Sequence, residues 1–102
     1  MGKEEVKKRI SEAIINDPAV NDIKRASLFG SYLRNEEKNN SDVDILVEFK
    51  PNAKIGFFEF VRIQRRLGEF IGKKVDLLTP DALSKFIREA VLNEAETIYE
   101  GR

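Results

Sequence analysis

Asp42 and Asp44 stand two residues apart in the run Asp42-Val43-Asp44-Ile45-Leu46-Val47-Glu48-Phe49. Val43, Ile45, Val47 and Phe49 alternate with them, the pattern of a half-buried strand. Side chains two apart point to the same face, so both carboxylates share the face opposite the apolar one, with Cα atoms roughly 6.5–7 Å apart. Two like charges so placed repel unless a cation sits between them. The chain has no His and no Cys, which leaves hard oxygen ligands suited to Mg2+ or Mn2+ rather than zinc. A third carboxylate, Asp76, lies between Val75 and Leu77 in another short apolar run and should also point away from the core. An isolated pair of this kind is most often the wet side of a strand. Aspartate is disfavoured in strands, however, and a merely wet face does not call for three of them.

Gly30-Ser31 precedes Ser41-Asp42 by eleven residues and closes a third apolar run, Ile23 to Phe29. Glycine at a strand end lets the backbone approach a ligand closely. With Ser31 as the N-cap of a short second helix, free N–H groups would face a phosphate. Alone, Gly-Ser is an ordinary turn. Beside the carboxylates it makes a phosphate cradle facing two metal-binding groups. Phosphoryl or nucleotidyl transfer needs those parts, because its chemistry is mostly positioning and charge neutralisation.

The elements that must position these groups follow from periodicity. Val6, Ile10, Ala13 and Ile14 recur at helical spacing, and Asn16-Asp17-Pro18 ends that helix. Ile23 to Phe29 reads as a strand, Asn35 to Asn40 as a polar surface loop, and Asp42 to Phe49 as the clearest strand. Pro51-Asn52 marks a turn. Phe57, Phe60, Val61, Leu67 and Ile71 define an amphipathic helix that stops at Gly72. Lys74 to Leu78 is a further strand. Thr79-Pro80 then opens a last helix that carries Leu83, Ile87, Ala90, Val91 and Ile98 to Gly101. The order is αβαβαβα: an α/β or α+β fold with a small mixed sheet and helices largely on one side. The expected core is Val43, Ile45, Val47, Phe57, Val61, Leu67, Val75, Leu77, Ile87 and Val91.

A chain of 102 residues suffices for one domain, residues 1–102, with one modest core and no bulk to spare for an enclosed substrate chamber. Lys+Arg and Asp+Glu are 18 each, a zero balance that argues against a protein made to coat nucleic acid. Without His, any catalysis must run on carboxylates, hydroxyls, Lys, Arg or hard metal ions. The N-terminus lacks the apolar core of a signal peptide, and no apolar run approaches the ~20 residues of a membrane span. The expectation is a cytoplasmic protein without membrane association. Arg62, Arg65 and Arg66 form a basic patch on the third helix, more simply read as a solvated face than as a partner surface. Lys73 and Lys74, near Asp76, could assist phosphate binding.

Taken together, Gly30-Ser31-Tyr32-Leu33-Arg34, six residues, then Ser41-Asp42-Val43-Asp44-Ile45-Leu46-Val47 resembles the signature of the DNA polymerase β-like nucleotidyltransferases. Within them it most resembles the minimal nucleotidyltransferases (MNT). The likeness covers nearly the whole chain. It implies that Asp42, Asp44 and Asp76 hold Mg2+ (Mn2+ possible), with Asp76 also helping to deprotonate an acceptor hydroxyl. It implies that Gly30 and Ser31 contact a nucleoside triphosphate, with Arg34 and Ser41 in the same nucleotide-binding set. Arg34 keeps two readings, phosphate contact or a carboxylate pair that holds the loop, of which the second is favoured. Tyr32 is better read as a packed aromatic than as a nucleotide contact. Two departures from the family pattern are Leu33, where a small residue is common, and Asn35, where glycine is common. Asn tolerates positive φ, so Asn35 should preserve the turn. The resemblance further implies an antitoxin that uses ATP to adenylylate a tyrosine on a HEPN-domain ribonuclease toxin. The alternative is a non-catalytic antitoxin that neutralises its partner by covering it.

Overall fold

The computed structural model describes residues 1–38 and 40–101. In chain order it has α1 (Lys3–Ile15), β1 (Ile23–Phe29), β2 (Val43–Phe49), α2 (Phe57–Ile71), β3 (Val75–Leu78), α3 (Lys85–Glu94) and β4 (Glu96–Glu100). Short 3-10 turns stand at Val20–Asp22 and Pro80–Ala82. The four strands form one mixed sheet in the order β3-β2-β1-β4. β1 runs antiparallel to β2 and to β4, while β2 and β3 are parallel. The parallel pair needs a crossover, which α2 supplies.

The alternation read from β2 holds. Val43, Ile45 and Val47 are fully buried. So are Val6, Ile10 and Ile14 of α1 and Ile63 and Ile71 of α2, with Leu67 nearly so, all in the same cluster. Ala26 and Leu28 of β1, paired with Val47 and Ile45, extend that apolar face. Each such large aliphatic side chain contributes about 1.5–3 kcal/mol of burial free energy, set against the entropy of ordering the chain. α1 ends where Asn16-Asp17-Pro18 was expected to end it. Asp17 turns back to accept a hydrogen bond from the Ala19 N–H at 2.9 Å. Its carboxylate also takes two bonds from the Arg66 guanidinium, at 2.9 and 3.1 Å, which ties α1 to α2. α2 stops at Gly72, whose φ of 82° is left-handed and whose N–H reaches the Gly68 carbonyl at 2.8 Å.

Three expectations are corrected. No helix follows Ser31: residues 31–35 form consecutive turns, with Arg34 N–H on the Gly30 carbonyl and Glu36 N–H on the Ser31 carbonyl. Asn35, at φ 57°, reverses the chain before a second helical turn can form. The last helix is interrupted. Leu83 is extended and Ala95, at φ −59° and ψ 137°, is not helical, so the helix spans only Lys85–Glu94, with Ser84 as the cap that accepts from Phe86 N–H at 3.2 Å. Residues 96–100 form β4, where β-branched and aromatic side chains pair with β1. Finally, Phe57 is 74% exposed, Val61 41% and Ile87 51%, and Val91 is half-buried, so these four are not core. The buried stripe of α2 is Ile63, Leu67 and Ile71. In its first turn Phe57 lines an apolar cleft of about 330 Å3 with Phe49, Phe60, Leu77 and Leu78.

Candidate active site

The three aspartates are placed by the sheet register. β2 and β3 pair Val43 with Val75 and Asp44 with Asp76. The two carboxylates therefore sit side by side on neighbouring strands roughly 4.8 Å apart. Asp42 is one residue ahead of β2 and, by the period of two, on the same face. On the other side of β2, Asp44 pairs with Phe29, the last residue of β1. The chain then turns at Gly30 with φ 78°. A Cβ added at Gly30 would collide with the Asp44 carboxylate, so only glycine lets this turn close over that side chain.

Electrostatics mark Asp44 as the centre of the group. Its pKa is pushed up to about 6, first by burial, then by the charges of Asp76 and Asp42, with Arg34 pulling the other way. Asp44 and Asp42 are half-buried and Asp76 is exposed. Leu46 on the same side of the sheet is buried, so that face is covered over the middle of β2 and open at its Asp42–Asp44 end. Among the described residues, no three carboxylates are gathered tightly enough to cage a metal ion by themselves. The donor set still fits a hard divalent ion. Mg2+ is usually held by one or two carboxylates, and its shell is completed by waters and substrate phosphates.

The remaining residues expected at the site divide. Gly30 and Asp76 flank Asp44 directly. Arg34 acts on Asp44 through its charge but is engaged by Glu36 at 2.5 Å and Glu94 at 3.4 Å, the loop-holding arrangement favoured from the sequence. The Ser41 hydroxyl accepts from Lys38 N–H at 2.8 Å and so braces its own loop. The Ser31 carbonyl accepts from Glu36 N–H. Tyr32 is buried in the core cluster, and Leu33 packs against it. Arg62 and Arg65 pair with Glu59 and Glu69 of their own helix, and Arg66 with Asp17.

Lys74, read from the sequence as near Asp76, also lies beside Asp42. The Val43 N–H bonds the Lys74 carbonyl at 2.9 Å, and the Lys74 ammonium stands 3.9 Å from an Asp42 oxygen. The alternation of Lys74 and Asp76 about Val75 was visible in the chain. The strand lying alongside them was not.

Comparison with known proteins bears on this geometry. The family model described as polymerase beta, nucleotidyltransferase, matches residues 8–102. A Methanocaldococcus jannaschii protein, provisionally named a protein adenylyltransferase, is 40% identical over 93% of this chain and 96% of its own length. A solved structure provisionally described as a minimal nucleotidyltransferase superposes with a TM-score of 0.74 at 32% identity, covering 93% of this chain and 94% of that one. A chain from the complex of tri-AMPylated Shewanella oneidensis HEPN toxin with MNT antitoxin superposes at 0.65, covering 97% of this chain and 73% of that one. Its 18% identity makes that a likeness of fold. The carboxylate trio on adjoining strands, the glycine turn closed against its central member and the match over residues 8–102 agree: the chain belongs to the polymerase β nucleotidyltransferase family.

Proposed function

We propose that this chain transfers AMP from ATP to a tyrosine hydroxyl of a HEPN-domain toxin and so acts as its antitoxin. The observation that carries the catalytic part is Asp44, held between Asp76 on β3 and Gly30 at the end of β1. Asp42, Asp44 and Asp76 would hold Mg2+ or Mn2+, which supplies charge neutralisation for the phosphates when bound. Gly30 and Ser31 offer backbone close to the triphosphate, with Arg34 and Ser41 fixing the loop between them. The acceptor oxygen attacks the α-phosphorus, the bond to the β-phosphate oxygen breaks, and pyrophosphate leaves. The tyrosine proton passes to a carboxylate, for which exposed Asp76 is the accessible member.

The partner is supported by two features. Among the described residues the acid face is open at its Asp42–Asp44 end, with Asp76 exposed, which leaves room for an acceptor carried on another molecule. The relatives named as protein adenylyltransferase and as MNT antitoxin in complex with a HEPN toxin point to a protein acceptor. An AMP group on that toxin puts a bulky anion where an RNA phosphate would bind, which accounts physically for inactivation.

The test is to incubate the chain with its HEPN partner, Mg2+ and ATP and to measure the partner's intact mass. Gain of one or more AMP units is expected. The Asp42→Asn, Asp44→Asn double variant should give none while keeping its far-UV circular dichroism. A partner whose ribonuclease activity is silenced with no gain of mass would establish neutralisation by contact instead.

A further inference from the structure

We infer that Lys74 is the exchangeable counter-ion of the acid face: it neutralises Asp42 while no metal is bound, yields that carboxylate to the divalent ion, and then faces the phosphoryl group of the nucleotide. The inference rests on the nucleotidyl-transfer reading above and adds a residue that the family signature at Gly30-Ser31 and Asp42-Asp44 does not contain.

The placement comes from the backbone. β2 and β3 pair Val43 with Val75 and Asp44 with Asp76, so one residue earlier Asp42 and Lys74 lie abreast. The bond from Val43 N–H to the Lys74 carbonyl fixes that step of the register. Lys74 and Asp76 are two apart, which puts the lysine on the face that carries the carboxylates. Its ammonium is 3.9 Å from Asp42, with the lysine side chain 81% and the aspartate side chain 39% exposed. A long, wet contact of that kind is not a structural tie. It holds charge beside Asp42 without holding geometry, as a displaceable ion must.

Arg34, whose charge acts on Asp44, is engaged by Glu36 and Glu94. Lysine also suits the second half of the role. It is a compact point charge on a flexible stem with three rotatable donors, and it binds phosphate in that form. Neighbouring strands are roughly 4.8 Å apart, so the ammonium can swing from Asp42 to a phosphate lying over β2 with no movement of the backbone.

The consequence is a pair of effects with opposite signs. Removing the positive charge leaves Asp42 more negative, so a metal ion alone binds more tightly. It also removes a phosphate contact, so metal-nucleotide binds more weakly. A unit charge about 4 Å away in a nearly aqueous setting corresponds to roughly fivefold in a binding constant.

The experiment uses the full chain and its Lys74→Met and Lys74→Arg variants, after thermal melts confirm that all three fold. Mn2+ binding is followed by electron paramagnetic resonance. Binding of an α,β-methylene ATP analogue at saturating Mn2+ is followed by calorimetry. Lys74→Met should bind Mn2+ about fivefold more tightly and the analogue about fivefold more weakly, while Lys74→Arg should stay close to the wild type in both. Unchanged constants in Lys74→Met, or two changes of the same sign, would overturn the assignment. A wild-type chain that binds neither Mn2+ nor the analogue would overturn the transfer reading itself, and the role of Lys74 with it.

Discussion

In metal-free buffer, replacing Asp44 with Asn should stabilise the protein at neutral pH and cease to do so in acid. The pKa of Asp44 is raised to about 6 in the fold, by burial and by the charges of Asp76 and Asp42, from an ordinary value of 3.8. A carboxyl whose pKa rises on folding binds more protons folded than unfolded across that window. Stability therefore falls as pH rises from about 4 through 6 and stays at its lower level above. The shift is about two units, or ~3 kcal/mol at 1.36 kcal/mol per unit. Asp44 is only half-buried, so solvent screening cuts this to roughly 1–1.5 kcal/mol. For a chain of this size, that corresponds to about 4–10 °C in Tm. Asn keeps the shape and removes the charge. The assay is thermal unfolding by circular dichroism in EDTA at pH 7.5 and in steps down to pH 4, wild type beside Asp44→Asn. The variant should melt several degrees higher at pH 7.5, with the gap closing as pH falls through 6. Saturating Mg2+ should reverse the order at pH 7.5, because only the wild type keeps the full ligand set. A gap independent of pH, or a variant less stable than the wild type in EDTA at pH 7.5, would refute the claim that Asp44 is held as a destabilised anion.

Two further outcomes follow from the packing. Gly30→Ala should lower Tm and abolish nucleotide binding by calorimetry, because the new methyl collides with the Asp44 carboxylate and φ 78° disfavours alanine by about 1 kcal/mol; a variant that binds nucleotide normally would show that the Gly30 turn does not shape the site. Arg66→Ala should destabilise the protein by about 2–3 kcal/mol in urea unfolding, because it strips the guanidinium from Asp17, whose side chain is 3% exposed, while Arg65→Ala, whose partner Glu69 is 3.8 Å away and exposed, should fall within ~0.5 kcal/mol of wild type.

The sequence alone determined whatever depends on neighbours in the chain. The period of two in residues 42–49 sent Val43, Ile45 and Val47 inward and Asp42 and Asp44 outward. The stops at Asn16-Asp17-Pro18 and Gly72 bounded two helices, and Asn35 was legible as the residue able to take a positive φ. In each case the information is local: a strand's pleat, a cap or a steric preference. Tertiary structure decided what depends on partners far along the chain. Leu83, Ile87, Val91 and Ile98 keep helical spacing, yet Glu96–Glu100 is a strand, because β1 offers its open edge there and helical periodicity does not register that demand. The exposure of Phe57 and Val61 is of the same kind, since only docking on the sheet selects the Ile63-Leu67-Ile71 stripe of α2. The site divides likewise. Which carboxylates share a face could be read from alternation. That Asp76 lies beside Asp44, that Lys74 lies abreast of Asp42, and that Gly30 closes over Asp44 are properties of strand register, fixed by the β2–β3 and β1–β2 hydrogen-bond ladders once the apolar face of the sheet is buried.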